Sequence, residues 1–489
     1  MTLPFLQAPF VRKTVAACVA SACAACTTLP HYTQPTASVP DHYAGSPVQA
    51  TPGWRAASPA DNVARGPWWT LYNDDQLNRL EAQIDVSSQT VKKAVTQLEY
   101  ARSMVDYERA GYFPLVTAGA SAERFRTSQH IMFRGAAGHT IPDYSTGLNA
   151  SWEPDLFGKI KDATVNARDN AQASEADLEA VKLAVSTELA TDYFDLRALD
   201  IQKKLLDDTV KAYAAALAIV QQQLNDGAID ASAVAQAETQ LESARTQDTD
   251  IDAQRAQLEH AIATLIGVPA SSFSLPVATS PVAVPSIPTG LPSQLLERRP
   301  DIAAAERRVA AANAEIGEAH AAYYPSLTLA ASAGLESTFF APWLTAPSLF
   351  WALGSQLAGT ILDGGQRSAT VKGATAQFNG TVADYRQTVL VAFQQVEDQL
   401  STLSALASEE QTQQRATDAA KLSLTLTMNR YQAGAVNYLD VVTAQTIELY
   451  NERTLDQIDA RRVDSSVLLL KALGGGWQRS SLTDAKATD

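Results

Sequence analysis

Two hydrophobic periods alternate along this chain, and each occurs twice. The apolar positions Leu178, Val185, Leu189, Leu196, Leu199, Leu206, Val210, Tyr213, Leu217, Val220 and Leu224 advance by three, four or their sum, interrupted only by Lys182, Asp192 and Lys203. That stepping is the seam of a coiled coil rather than the broad stripe of a globular surface helix. Residues 159–226 hold neither Gly nor Pro, which predicts one continuous helix of ~100 Å at about 1.5 Å per residue. After Gly227 the seam resumes through Val234, Ala237, Leu241, Ala244, Ile251, Leu258, Ile262 and Leu265. A turn at Gly227 therefore joins two antiparallel helices.

A period of two marks other segments. Leu327, Leu329, Ala331, Ala333 and Leu335 alternate with Thr328, Ala330, Ser332 and Gly334. Trp351, Leu353, Leu357 and Ile361 share one parity against Gly354, Gln356 and Thr360, and Tyr144 to Trp152 alternates likewise. Each run has about ten residues, the length that crosses a bilayer as a tilted strand. Trp152, Phe157, Phe350 and Trp351 lie near strand ends, where an interfacial aromatic belt would place them. The period by itself fits a soluble hairpin with one buried face equally well.

The chain repeats itself. Ala110 to Pro114 is echoed by Ala322 to Pro325, and Leu156-Phe157-Gly158-Lys159 by Leu362 to Arg367. Leu224 to Asp230 matches Tyr431 to Asn437, and Leu265-Ile266-Gly267 matches Leu473-Gly474. In the second copy Glu448, Asn451 and Arg462 fall on the helical seam. Between the copies Pro269, Pro276, Pro281, Pro285, Pro288 and Pro292 exclude both helix and central strand.

Composition narrows the class. Aromatics are sparse and the formal net charge is −15, which argues against a nucleic-acid partner. All the cysteines, Cys18, Cys23 and Cys26, lie in the first 26 residues, so the remaining chain can form neither a disulfide nor a cysteine-based metal site. Arg12 and Lys13 precede a short uncharged Ala- and Val-rich run that ends at Cys26, the pattern of an export signal. Either Cys26 becomes an acylated first residue, with Cys23 unusual at position −3, or a plain secretory peptide is cut nearby. No segment offers ~20 consecutive apolar residues, so a membrane crossing would need β-strands.

Two hairpins supply four strands, and an open four-stranded sheet would leave edge N–H and C=O groups unsatisfied in lipid. Closure requires other chains. Three copies would make twelve strands, a barrel wide enough for a lumen, where about eight are filled by side chains. From a different class, a periplasmic coiled-coil scaffold with soluble hairpins and no pore fits the same periods.

The run Leu295-Leu296-Glu297-Arg298-Arg299-Pro300-Asp301-Ile302, with Ala305-Glu306 and Ala319 to Pro325, resembles the signature of the TolC-type outer-membrane efflux factors. Trp68-Trp69-Thr70-Leu71-Tyr72 and Asp75-Gln76-Leu77 resemble the start of the same domain, and Cys26 followed by Pro30-His31-Tyr32 resembles their lipoprotein branch, the NodT family. The likeness runs from about Cys26 to Gly474. It implies a mixed α/β membrane protein: a trimeric twelve-stranded β-barrel, four strands per protomer, continuous with a long periplasmic α-helical barrel. It implies a homotrimer anchored to outer-membrane lipid, docked to a periplasmic adaptor and to an inner-membrane pump of RND or MFS type. Such a duct would passively conduct drugs or other small toxic molecules, or, with the same fold, a secreted polypeptide.

The family closes its periplasmic mouth with tyrosine and aspartate at the second helix turn, a motif matched by Tyr431, Gly434, Leu439, Asp440, Val441 and Val442. Thr443 stands where some relatives carry a second acid. A ring of Asp440 carboxylates would favour cations and constrict the pore; on the residues alone Asp440 is a solvated tip residue or a helix cap. Gly227 and Gly434 are expected as C-caps of positive φ at tips that an adaptor would grip. Arg298, Arg299 and Asp301 read as a start-of-helix charge cluster, with Asp301 suited to the N-terminal turn after Pro300.

No enzyme chemistry and no cofactor are indicated. The histidines are scattered without a His-Glu-x-x-His pattern, and Gly474-Gly475-Gly476 lacks the Lys-Ser/Thr of a phosphate cradle. Glu and Asp read as solvated helix faces. The expected organisation is a signal peptide over 1–25, a lipid-anchored arm over 26–67, a first repeat over 68–267, a proline-rich linker over 268–292, a second repeat over 293–474 and a tail over 475–489.

Overall fold

A computed structural model describes residues 32–37, 43, 67–130, 138–285, 287 and 298–475. A 3-10 turn, Trp68–Tyr72, and helix α1 (Asp75–Ser87) lead into α2 (Gln89–Ala110), strands β1 (Leu115–Arg126) and β2 (Thr140–Trp152), and helices α3 (Lys159–Asn225) and α4 (Ala231–Leu265). The order then recurs as α5 (Pro300–Ala321), β3 (Ser326–Ser337), β4 (Leu349–Ala358), α6 (Gln366–Gln432) and α7 (Tyr438–Ala472). Corresponding helices have equal lengths: 22 residues for α2 and α5, 67 for α3 and α6, 35 for α4 and α7. From Gln89 to Pro300 and from Leu115 to Ser326 the shift is 211, whereas from Lys159 to Gln366 and from Ala231 to Tyr438 it is 207. The mismatch is absorbed between the first strand of each hairpin and the long helix, where turn length is free to vary.

The chain forms two compact units, each drawing on both repeats: one contains Glu99–Ala173 and Ala305–Tyr385, the other Ser174–Ala304 and the chain from Arg386. The first unit holds the sheet, an antiparallel meander in the order β1-β2-β3-β4. Its register sorts side chains cleanly. Leu329 pairs with Trp152, Ala333 with Leu148 and Trp351, and Leu327 with Leu357, all on one face. Ser332 pairs with Asn149 and Ala352, and Thr328 with Gln356, on the other. The ladder stops at Ser326–Ala358; Pro325, which has no N–H to donate, abuts Gly359. Ile361, expected on the strand, therefore lies beyond it. Within the described chain β1 and β4 are both edges, and their apolar side chains stand open, Leu353 at 76% and Trp351 at 71% exposure.

Aromatic groups gather at both ends of this sheet. At the end joined to helices, the Trp152 indole donates to the Tyr112 carbonyl oxygen at 3.0 Å and Phe157 stacks on Tyr324 at 4.8 Å. At the other end, Phe340 meets Tyr144 edge-on and Trp343 lies tilted against both, with centroids 5.4 to 6.2 Å apart.

In the second unit the predicted seam is the core. Leu178, Val185, Leu189, Leu196, Leu206, Tyr213 and Val220 are buried, as are Ala237, Leu241, Ala244, Ile251 and Ile262 across from them. Polar residues on the seam find partners. Lys203 on α3 reaches Asp248 on α4 at 2.7 Å, Gln413 donates to the Asn451 side chain at 2.9 Å, and Arg462 pairs with Glu410. The described part of the linker carries no strand; its backbone is pinned by charged helix residues instead. Arg255 donates to the Leu275 carbonyl at 2.9 Å, the Leu275 N–H to Glu259 at 2.7 Å and the Ala278 N–H to Asp200 at 2.9 Å. Prolines deny this segment a ladder, so side chains satisfy its backbone groups.

Candidate functional site

The two helix-pair turns are built alike. The Ala228 N–H returns to the Gln223 carbonyl at 2.9 Å across Gly227, whose φ is 69°, and the Ala435 N–H returns to the Arg430 carbonyl at 2.8 Å across Gly434, whose φ is 70°. Both are left-handed C-caps that satisfy carbonyls at the helix end. The returning helices then start on different caps. Asp230 accepts from the Ser232 N–H at 2.7 Å. Asn437 accepts from the Asp440 N–H at 3.1 Å while the Asp440 carboxylate accepts from the Asn437 N–H at 3.3 Å, a reciprocal capping box.

Asp440 is exposed and makes this cap. Tyr431 does something else: its hydroxyl donates to Gln223 at 2.6 Å, and its ring packs edge-on against Tyr438 at 5.6 Å. Val220, Ala237, Tyr438 and Val441 form the buried cluster beneath. Tyr431 is thus brought together with α3, whereas Asp440 in the same chain is not brought to Tyr431. Gln223 and Tyr438 escaped the sequence reading. Tyr438 directly follows the Tyr431–Asn437 repeat block, so the signal was adjacent; Gln223 in a run of glutamines carried none. Cys26 lies outside the described residues.

Arg299 and Asp301 form a clamp at the start of α5. Arg299 grips Asp301 through two bonds of 3.0 and 2.6 Å and donates to Gln395 at 2.8 Å and to the last-turn Ala472 carbonyl of α7 at 3.2 Å. This is the expected architectural cluster, with the added task of closing the C-terminus of α7.

The expectation that acidic residues form solvated faces is corrected at several positions. Glu81 is 3% exposed. Burial raises its pKa to about 8, partly offset by the Ser186 hydroxyl and reinforced by Asp85; neither the Glu81 carboxyl nor the Ser186 hydroxyl makes a hydrogen bond of ordinary geometry among the described residues. Asp464 on α7 and Asp195 on α3 meet carboxyl to carboxyl, and burial pushes both upward. Asp192, beside Glu188 and Asp195, is raised by burial to about 6. Glu81 of α1 meets Ser186 of α3, and Asp195 of α3 meets Asp464 of α7, encounters between helices that a single-helix period does not report. Among the described residues no group of His, Cys, Asp and Glu is placed to hold a metal ion, and no helix is long and apolar enough to cross a membrane.

A meander with two open edges, an apolar face and a polar face, carried by very long helix pairs, defines a protomer of a membrane channel. The family model for outer membrane efflux proteins matches residues 81–268 and 291–475. The chain is 30% identical over 466 residues to the cation efflux system protein CusC of Escherichia coli O6:H1, covering 94% of this chain and 98% of that protein. It is 30% identical over 463 residues to the toluene efflux pump outer membrane protein TtgI of Pseudomonas putida, covering 93% and 96%. A crystal structure of a membrane protein from Pseudomonas aeruginosa superposes with a TM-score of 0.84 at 28% identity, covering 93% of this chain and 98% of that one. The chain belongs to the outer membrane efflux protein family, and it is an outer-membrane channel component rather than an enzyme.

Proposed function

We propose that three copies of this chain close their sheets into one twelve-stranded barrel and conduct small toxic molecules passively out of the cell. The observation that carries this reading is the sheet: β1 and β4 expose unpaired edges, and the strands offer apolar side chains to one side and Ser, Thr, Asn and Gln to the other. Lipid tolerates such edges only if neighbouring copies complete the hydrogen-bonded ring. The direction of transport is then imposed by an inner-membrane pump through a periplasmic adaptor that grips the Gly227 and Gly434 tips. Related proteins named for a metal cation and for an organic solvent stand at the same 30% identity, which suits a conduit that leaves selection to the pump.

At the tip, Tyr431 and Asp440 form the gate. Tyr431 ties α6 to α3 within a chain, and Asp440 supplies a carboxylate at the mouth that three copies would converge. Cys26 carries the lipid anchor, and its Cys26→Ser variant is expected to lose acylation yet still assemble. The test of the channel is planar-bilayer conductance of the purified, detergent-extracted protein. Discrete conductance steps from a trimer are expected; a stable monomer in plain buffer would end the proposal.

A further inference from the structure

We propose that the turn end of the sheet is a docking surface for a phosphate-bearing lipid of the outer leaflet, and this rests on the barrel reading above. All four helix connections leave the opposite end of the sheet, at Leu115, Trp152, Ser326 and Ala358. With the helices in the periplasm, the other end, which carries no α-helix among the described residues, faces outward.

At that end the two faces carry opposite charge. Along β1 and β2 the apolar face runs Ala118–Leu148, Ala120–Thr146 and Ala122–Tyr144, then continues to Arg124–Pro142 and Arg126–Thr140. Arg124 and Arg126 thus stand on the lipid side, and both are exposed. The polar face at the same height holds Glu123 directly opposite Asp143, with Glu336 opposite Ser145, before an apolar last rung of Phe125 and Ile141. Arg124 and Arg126 stand on the opposite face of the ladder from Glu123 and Asp143, so the register does not pair these cations with those acids.

The neighbouring turn adds a second observation. The β3–β4 connection reads Phe339-Phe340-Ala341-Pro342-Trp343-Leu344, an apolar composition for a segment at an outer mouth, with Phe339, Phe340 and Leu344 exposed. It is ordered by its own bonds: the Thr345 and Ser348 hydroxyls donate to the Pro342 carbonyl at 2.6 and 2.8 Å, and the Trp343 indole donates to the Leu335 carbonyl at 3.3 Å. Phe340 and Trp343 pack on Tyr144, whose parity is that of Leu148 and Trp152. The turn therefore folds onto the lipid side and not across the lumen. One rung beyond Tyr144 on that face stands Arg124. The surface is continuous with the acyl-chain face below and ends in cations, the complement of a lipid with apolar tails and an anionic head. Guanidinium groups suit phosphate because they offer parallel donors to its oxygens.

The test is native mass spectrometry of the detergent-extracted trimer titrated with lipid A and with its phosphate-free analogue. Lipid A is expected to bind roughly tenfold more tightly to the natural chain than to an R124Q/R126Q variant, as loss of two charge-assisted contacts predicts. The phosphate-free analogue should bind both alike, and a Phe340→Ser/Trp343→Ser variant should weaken both lipids while keeping their ratio. Equal lipid A binding by the natural chain and R124Q/R126Q would overturn the inference, as would equal binding of the two lipids. If R124Q/R126Q fails to assemble, salt decides on the natural trimer: lipid A binding should weaken as ionic strength rises, and a salt-insensitive affinity rejects the proposal. Conductance in phosphatidylcholine bilayers separates the two readings. Intact conductance with phosphate-indifferent binding sinks only this inference, whereas absent trimers and absent conductance sink the channel.

Discussion

The Tyr431 hydroxyl donates a 2.6 Å hydrogen bond to the Gln223 side chain, so the last turn of α6 is fastened to the last turn of α3. The bond is partly exposed and lies above the cluster of Val220, Ala237, Tyr438 and Val441. A tie of this kind contributes about 1 kcal/mol, small enough to be broken and remade. With the packing of the Tyr431 ring on that cluster, it links the proposed gate of the second repeat to the first.

Tyr431→Phe keeps the ring against Tyr438 and removes only that bond. Its open probability in planar bilayers is expected to rise several-fold, about what 1 kcal/mol allows. Conductance traces identical to those of the natural protein would remove Tyr431 from the gate.

Asp440 has two tasks that one substitution separates. Asp440→Asn retains an acceptor for the Asn437 N–H but removes the charge, so α7 should stay capped while cation preference falls. Asp440→Ala loses both and should also cost about 1 kcal/mol of helix-end stability. Reversal potentials under a salt gradient, read beside thermal melts, distinguish them; unchanged selectivity in the Asn variant assigns Asp440 to capping alone.

Glu81 predicts alkaline sensitivity. Its folded pKa is about 8 against an ordinary 4.5, because burial disfavours the charged form. The folded state then holds the extra proton. Its contribution is fully present below about 4.5 and is lost as pH climbs through about 8. Asp464, raised by burial and by Asp195, acts in the same direction. Glu81→Gln should flatten the fall in melting temperature across that window and stabilise the protein above it by on the order of 2 kcal/mol. An unchanged pH profile in the variant would show that Glu81 ionises freely in the fold.

Four glycines of positive φ divide into two kinds. A Cβ on Gly474 would lie 2.2 Å from the Arg298 carbonyl oxygen, and one on Gly267 2.3 Å from that of Ser87, whereas nothing stands within 4 Å of Gly227 or Gly434. Gly434→Ala should cost about 1 kcal/mol, the backbone penalty alone. Gly474→Ala adds a backbone collision and should cost on the order of 3 kcal/mol or prevent assembly. Trimer yield and thermal melts of the two variants provide the comparison, and equal losses would contradict the packing described.

Arg299→Lys should be far from neutral although charge is kept. A single ammonium cannot hold both Asp301 oxygens, Gln395 and the Ala472 carbonyl at once, and losing such a buried network costs about 3 kcal/mol. Hydrogen exchange at the C-terminus of α7 should rise in the variant, and unaltered protection there would refute the clamp.

Much of the fold was legible because its signals are local. Absence of Gly and Pro from 159 to 226, a seam stepping by three and four, and Gly227 at its end specify a long helix, a turn and a return, whatever surrounds them. Strand parity is equally local, which is why Leu148 could be grouped with Trp152, Leu327 with Leu329 and Trp351 with Leu353 within each run, whereas the register between strands set all of them on one face. What one chain segment cannot encode is which distant group arrives beside it. That Tyr431 meets Gln223, that Asp195 meets Asp464, that Glu81 is enclosed against α3, and that Phe340 and Trp343 turn onto Tyr144 beside Arg124 were decided only by tertiary packing. A residue's period says which way it points; its burial, its charge state and its partner depend on what the rest of the chain brings there.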